Sequence, residues 1–181
     1  SMARVKTFLK QEIDEKGRVL KQQSHSVKYF DDDNGYLFWL NKEHIKSFKG
    51  FGLPEILSET ETARVYRLSL VTHKNSNLIC YRSGNVIKPM GVDKIAAYLN
   101  ISQRQAAGFL RKMIGWRIIG RVRVQIGGTY ETQYYVNPIY FFNGKWLNYN
   151  LYFIFKKDLD GILPEWVKMR FNQDLRQKQQ V

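Results

Sequence analysis

Three features of this 181-residue sequence predict an α+β fold. A 44% hydrophobic content that includes 14% aromatic residues argues for buried cores and against disorder throughout. Residues 93–113, "DKIAAYLNISQRQAAGFLRKM", carry apolar side chains at helical spacing on either side of a break at Asn100-Ile101. Directly afterwards Arg121-Val-Arg-Val-Gln-Ile126 alternates strictly, and "TYETQYYV" returns past Gly127-Gly128 as a second strand. The length suits one sizeable domain or two small ones.

The elements follow in order. Residues 1–57 read as an N-terminal extension of short strands and turns, with a β-hairpin in which "VKYF" and "YLFWL" flank "DDDNG". Asn34-Gly35 can take positive φ there. The Asp triplet lacks calcium-loop spacing, because Gly comes one place early and Lys42 stands where a Glu belongs. A solvated turn is expected. "KGFGLPE" marks a loop. Ser58-Glu-Thr-Glu61 has capping-box spacing and opens a helix to about His73, with Tyr66, Leu68, Leu70 and Val71 on its apolar faces. "NLICYRSGNVIKP" then supplies two short strands around Ser83-Gly84-Asn85.

In the helical pair, Ile95, Ala96 and Leu99 form an apolar stripe, and Ala96 permits close approach of the second helix. Ile101 plugs the turn, and Ser102 is an N-cap residue that also counts, with Gln105, among the candidate DNA contacts. Ala106, Leu110 and Met113 face inward at helical spacing. Gln103, Arg104, Ala107, Gly108, Arg111 and Lys112 are left on or near the outer face. Amides and guanidinium groups there can read base edges, and cations can meet phosphates. A mid-helix glycine costs ~1 kcal/mol relative to alanine. Gly108 therefore either lets the helix backbone sit deep in a groove or packs closely against the preceding hairpin.

The net charge of +13 is unevenly spread. From Thr62 to Tyr130 the only acid is Asp93, against 12 Lys and Arg, a net of +11. The remainder holds 17 basic and 15 acidic residues, a net of +2. A basic excess confined to a motif-bearing segment points to a polyanion. Helix, helical pair and basic hairpin together have the element order of a winged helix-turn-helix, residues 58–138, with Arg121 and Arg123 in the wing and Arg117 just before it. Double-stranded DNA is the expected partner, and a membrane is not, since the charge lies on no long amphipathic helix.

Residues 139–181 are expected to form a separate helical segment, with a helix near 147–158 and a polar, frayed end after Phe171. Tyr140, Phe141, Phe142, Trp146, Tyr149, Tyr152 and Phe153 offer aromatic surface that suits a homodimer interface. The alternative is that they cover the wing's strands and complete the monomer core.

Catalysis finds little support. His25, His44 and His73 are scattered, no GxxxxGK[ST] loop is present, and neither metal nor cofactor is expected. Tyr134-Tyr135 read as packing residues, although a nicking enzyme using a tyrosine is the competing class. Cys80 is single, so it reads as a core residue in a reducing compartment. Apolar runs such as "LYFIF" are too short to span a bilayer, and no charged-then-apolar leader is read at the start.

"RLSLVTHKNSNLICYRSGNVIKPMGVDKIAAYLNISQRQAAGFLRKM" followed by "YYVNPIYFFNGK" resembles the RepL-type plasmid replication proteins of Gram-positive bacteria and related phage regulators. The resemblance covers roughly residues 27–160. It implies a cytoplasmic bacterial protein whose winged helix-turn-helix binds origin or operator DNA without chemistry of its own. Gln103, Arg104, Gln105, Arg111 and Lys112 would lie on the recognition helix, and Arg121 and Arg123 on the wing. Gly108 departs from the usual pattern. Plasmid or phage replication initiation is the implied role, host replication proteins the further partners, and transcriptional regulation the alternative.

Overall fold

The computed structural model describes residues 5–28, 30–38 and 42–179. The chain divides into two compact units, residues 1–42 and 43–181. Within the first, β1 (Val5–Ile13) and β2 (Val19–Lys28) pair as a long antiparallel ribbon. The Asp14 carboxylate closes its turn, accepting from the amides of Lys16 and Arg18 at 2.9 and 2.8 Å. A small hairpin follows, β3 (Phe30–Asp31) with β4 (Gly35–Tyr36). It is shorter than "VKYF" and "YLFWL" implied; Tyr29, Trp39 and Leu40 of those strings lie outside the described residues. Its loop is the expected turn, with Gly35 at φ 84° and the Asp31 carboxylate accepting from the amides of Asp33 and Asn34.

The second unit begins with β5 (Ile45–Lys46), before α1 (Glu59–Ser69). The Ser58 hydroxyl accepts from the Glu61 amide, and the Glu61 carboxylate accepts from the Ser58 amide, so the capping box forms as spaced. The helix stops at Ser69 rather than near His73. There the chain turns back, and Thr72 bridges Ile79. Tyr66 and Leu70 are exposed, and Val65 and Leu68 form the buried face.

The strands β6 (Cys80–Ser83) and β7 (Val86–Pro89) pair around Gly84-Asn85. Then come α2 (Val92–Leu99), α3 (Gln103–Gly115) and a second ribbon of β8 (Ile119–Ile126) with β9 (Thr129–Val136). One apolar core joins these elements: Val65 and Leu68 from α1, Ile79 just before β6, Ile95 and Leu99 from α2, Phe109, Leu110 and Met113 from α3, and Ile118, Ile119, Tyr134 and Val136 at the base of the ribbon.

Boundaries at 57 and 138 do not match how the chain packs. The strand β10 (Phe142–Asn143) pairs with β5, which ties residues 45–46 to the tail. Buried asparagines lock the same junction. The Asn77 side chain donates to the carbonyls of Val136 and Phe141 at 2.9 and 2.7 Å and accepts from the Asn143 amide at 2.9 Å. Each of these buried polar atoms is satisfied, which is why the residues can sit in the interior.

The tail also differs from expectation. The helix expected near 147–158 breaks at Phe155 into α4 (Tyr149–Ile154) and α5 (Lys156–Leu159). Phe155 is buried with Phe142, Leu151, Tyr152 and Leu159 in a second cluster that takes in Tyr135 from β9. Where a frayed end was expected, α6 (Glu165–Gln179) runs on past Phe171. Phe171 stacks on Tyr152 with centroids 4.2 Å apart, and Leu163 packs on the same cluster. Of the seven aromatics considered for a dimer interface, Tyr140, Phe141, Phe142, Tyr152 and Phe153 belong to these two clusters. Trp146 and Tyr149 remain exposed. The segment therefore completes the fold of its own chain.

Candidate nucleic-acid interface

The helical pair is set by its turn. Asn100 takes the left-handed conformation, φ 55° and ψ 49°, and the Ile101 amide donates back to the Ala96 carbonyl at 3.0 Å. Ala96 and Ala106 are both buried, and their small side chains let α2 and α3 meet closely. The Ser102 hydroxyl accepts from the Gln105 amide at 3.1 Å, and the Gln105 side-chain oxygen accepts from the Ser102 amide at 3.0 Å. This reciprocal box orients the start of α3. It also changes the expected roles of two site residues. Ser102 and the Gln105 carbonyl oxygen serve the helix end, and the first turn is left with Gln103 and Arg104 as its outward polar groups.

Ala106, Phe109, Leu110 and Met113 face the core, so the opposite stripe of α3 is solvent-facing. Gln103, Arg104, Gly108 and Arg111 are exposed along it, and Ala107 is half-buried. Arg104 and Arg111 stand seven residues apart, about 10 Å along the axis. Gly108 lies between them. A Cβ built on Gly108 would meet nothing within 4 Å, which excludes packing against the β6–β7 hairpin as the reason for the glycine. Two guanidinium groups thus flank a bare stretch of helix backbone.

Lys112 and Arg117 do not join them as free cations. The Lys112 ammonium lies 2.9 Å from the Glu61 carboxylate, tying α3 to the N-terminus of α1. Glu61 is held below the usual carboxylate range, first by the Ser58 amide and then by Lys112. Arg117, with φ 55°, donates from Nε and Nη2 to the Asp158 carboxylate at 3.2 Å, and this bond raises its pKa. Asn137, fully buried, donates to the Arg117 carbonyl and to Asp158 at 2.7 and 3.1 Å. Arg117 is therefore the joint between the end of α3 and α5. Both ion pairs keep about half of the cation's side chain in solvent.

The ribbon has two unlike faces. Arg121, Arg123 and Gln125 are exposed on one, opposite Tyr134, Thr132 and Tyr130 in register, whereas Val122 and Val124 are half-buried on the other. The Arg123 guanidinium lies 4.6 Å over the Tyr130 ring. Tyr130, 61% exposed near the tip, was not singled out from the sequence. Its place on the arginine face follows from the two-residue turn and the alternation that the sequence does contain. At the base, a Cβ on Gly120 would lie 2.5 Å from Ile154 Cγ2 and 3.0 Å from Phe155 Cζ, so glycine admits α4 against β8.

The hydroxyls of Tyr134 and Tyr135 have raised pKa values because of burial, and the same cause raises that of the Cys80 thiol. Among the described residues no group of three His, Cys, Asp or Glu could hold a metal ion, and no helix is long and apolar enough to cross a membrane. No family model, curated protein or solved structure matches the chain.

Proposed function

We propose that residues 58–138 act as a winged helix-turn-helix that binds double-stranded DNA, with α3 in the major groove and the β8–β9 ribbon as the wing along the adjacent backbone. The observation that carries this reading is the outward stripe of α3. Arg104 and Arg111 flank an open backbone at Gly108, on a helix whose other face is committed to the core. An α-helix fits a major groove about 12 Å wide, and guanidinium groups pair bidentately with guanine. The net +11 of residues 62–130 supplies the phosphate attraction. Sequence-specific binding at a plasmid or phage origin is the role that the family resemblance favours. Regulation of transcription is the alternative that the same surface serves.

Binding to duplexes recovered from a fragmented bacterial genome, followed by fluorescence anisotropy at several salt concentrations, tests this reading. Recovered origin repeats support replication, and promoter sites support regulation. Affinity should fall steeply with salt, and Arg121→Ala with Arg123→Ala should make the log–log slope shallower by about 1–2 while the preferred sequence is kept. A chain that binds no duplex, or whose slope ignores both arginines, refutes the assignment of the face.

A further inference from the structure

The described side chains of the β1–β2 ribbon form no core of their own. Every described side chain from Leu9 to Ser24 is exposed apart from the half-buried Asp14, and Leu9, Ile13, Val19 and Leu20 are 49–69% exposed. Strands of nine and ten residues run about 30 Å. A lone two-stranded ribbon is marginal in water, and three or more strands are needed for independent stability. Its two edges are not equivalent. Glu12 pairs with Lys21 but Ile13 pairs with Val19, so Leu20 is an extra residue on β2. Such a bulge twists an edge away from further pairing. The β1 edge is regular, contains no proline, and has no further strand beside it among the described residues.

We propose that β1 pairs antiparallel with β1 of a second copy of this chain, centred on Gln11, making a four-stranded sheet across a two-fold axis. The chemistry of the strand is self-complementary about that residue. In Leu9-Lys10-Gln11-Glu12-Ile13, the pairing sets Lys10 opposite Glu12 of the second copy, Leu9 opposite its Ile13, and Gln11 opposite its Gln11. Because side chains alternate, the two charge pairs fall on one face and the apolar pairs with Gln11 on the other. β2 has no acidic residue and could not answer its own Lys21 in this way. A two-fold contact of this kind requires that each residue find its complement on an identical strand. The dimer element thus lies outside residues 139–181, and outside the surface proposed for DNA.

Sedimentation of the full chain without DNA tests the pairing. The wild type should sediment as a dimer at micromolar concentration. Lys10→Glu sets a carboxylate against the Glu12 carboxylate at two symmetric places, and Glu12→Lys sets an ammonium against the Lys10 ammonium at the same two places. Each should weaken the dimer about tenfold or more. An equimolar mixture of the two variants should recover it, since both cross-pairs are again opposite in charge. The doubly substituted chain should recover it as well. Recovery cannot come from chains that have failed to fold. A monomeric wild type, a dimer indifferent to both reversals, or a mixture that stays monomeric overturns the proposal. Reversals that change DNA affinity and leave the mass unchanged also overturn it, and make the ribbon a nucleic-acid arm.

Discussion

The protein contains two antiparallel ribbons of similar length that differ in what lies under them. β8–β9 rests on the core through Ile119, Tyr134 and Val136, each 5% exposed or less, and only its outer half projects. β1–β2 has no buried described residue along either strand. The difference shows what makes a ribbon a rigid presenter of side chains. Backbone pairing is common to both, so it cannot be the reason. A base of apolar side chains that cannot be withdrawn without opening a cavity is what holds Arg121 and Arg123 in place. From Leu9 to Ser24 the N-terminal ribbon has no such base among the described residues.

The largest expected effect breaks the comparison at its base. Ile119→Ala should destabilise residues 43–181 by about 2–5 kcal/mol, read as a shift of the urea unfolding midpoint. Ile13→Ala, at a 62% exposed position, should leave that transition within about 0.5 kcal/mol. Equal losses would mean that both ribbons draw on one core. Gly120→Ala should cost about 1–3 kcal/mol, because the new methyl would meet the branched end of Ile154, which has little room to turn away.

The next effects sharpen the comparison at the proposed DNA face. Arg104→Ala should cost about 1–3 kcal/mol on the preferred duplex and relax preference at one base pair. Equal loss on random duplex would make Arg104 a phosphate contact. Lys112→Ala, one residue beyond Arg111 on the same helix, should change affinity less. Its ammonium already has a carboxylate partner in Glu61, and an exposed pair of this kind is worth about 0–1 kcal/mol. A loss at Lys112 as large as at Arg104 would show that DNA displaces Glu61.

What could be read in the sequence was what depends on near neighbours. Both capping positions, the turn at Asn100, the inward faces of α2 and α3 and the alternation of β8 follow from spacing within a few residues. Pairing over long separation was not legible. Phe142 opposite Lys46, Asn77 reaching Val136 and Phe141, and Arg117 reaching Asp158 each join residues more than 40 apart. Lys112 and Arg117 therefore looked like free cations, although distant carboxylates hold them. The continuation of α6 is not legible in the sequence for a similar reason. Its sequence is polar, and Phe171 gains its hold from Tyr152, folded beneath it, and from the edge contact with Tyr149. On the outer stripe of α3 no distant partner among the described residues intervenes, so Arg104, Gly108 and Arg111 stand exposed where the spacing puts them.

Gly108 separates stability from binding most cleanly. An alanine there would add a methyl to open space on a helical segment, where alanine is favoured over glycine by about 1 kcal/mol. Gly108→Ala should therefore raise the stability of the free protein by up to about 1 kcal/mol. If the backbone at that point approaches base edges, the same methyl stands between Arg104 and Arg111 at the deepest part of the contact, and specific affinity should fall about tenfold or more while binding to random duplex changes little. Stability and affinity would then move in opposite directions. A variant that is more stable and binds its preferred duplex undiminished would place the helix further from the bases, with the two arginines reaching across the gap. A variant that loses stability would mean that α3 is bent or frayed at this residue, and the stripe itself would need to be redrawn.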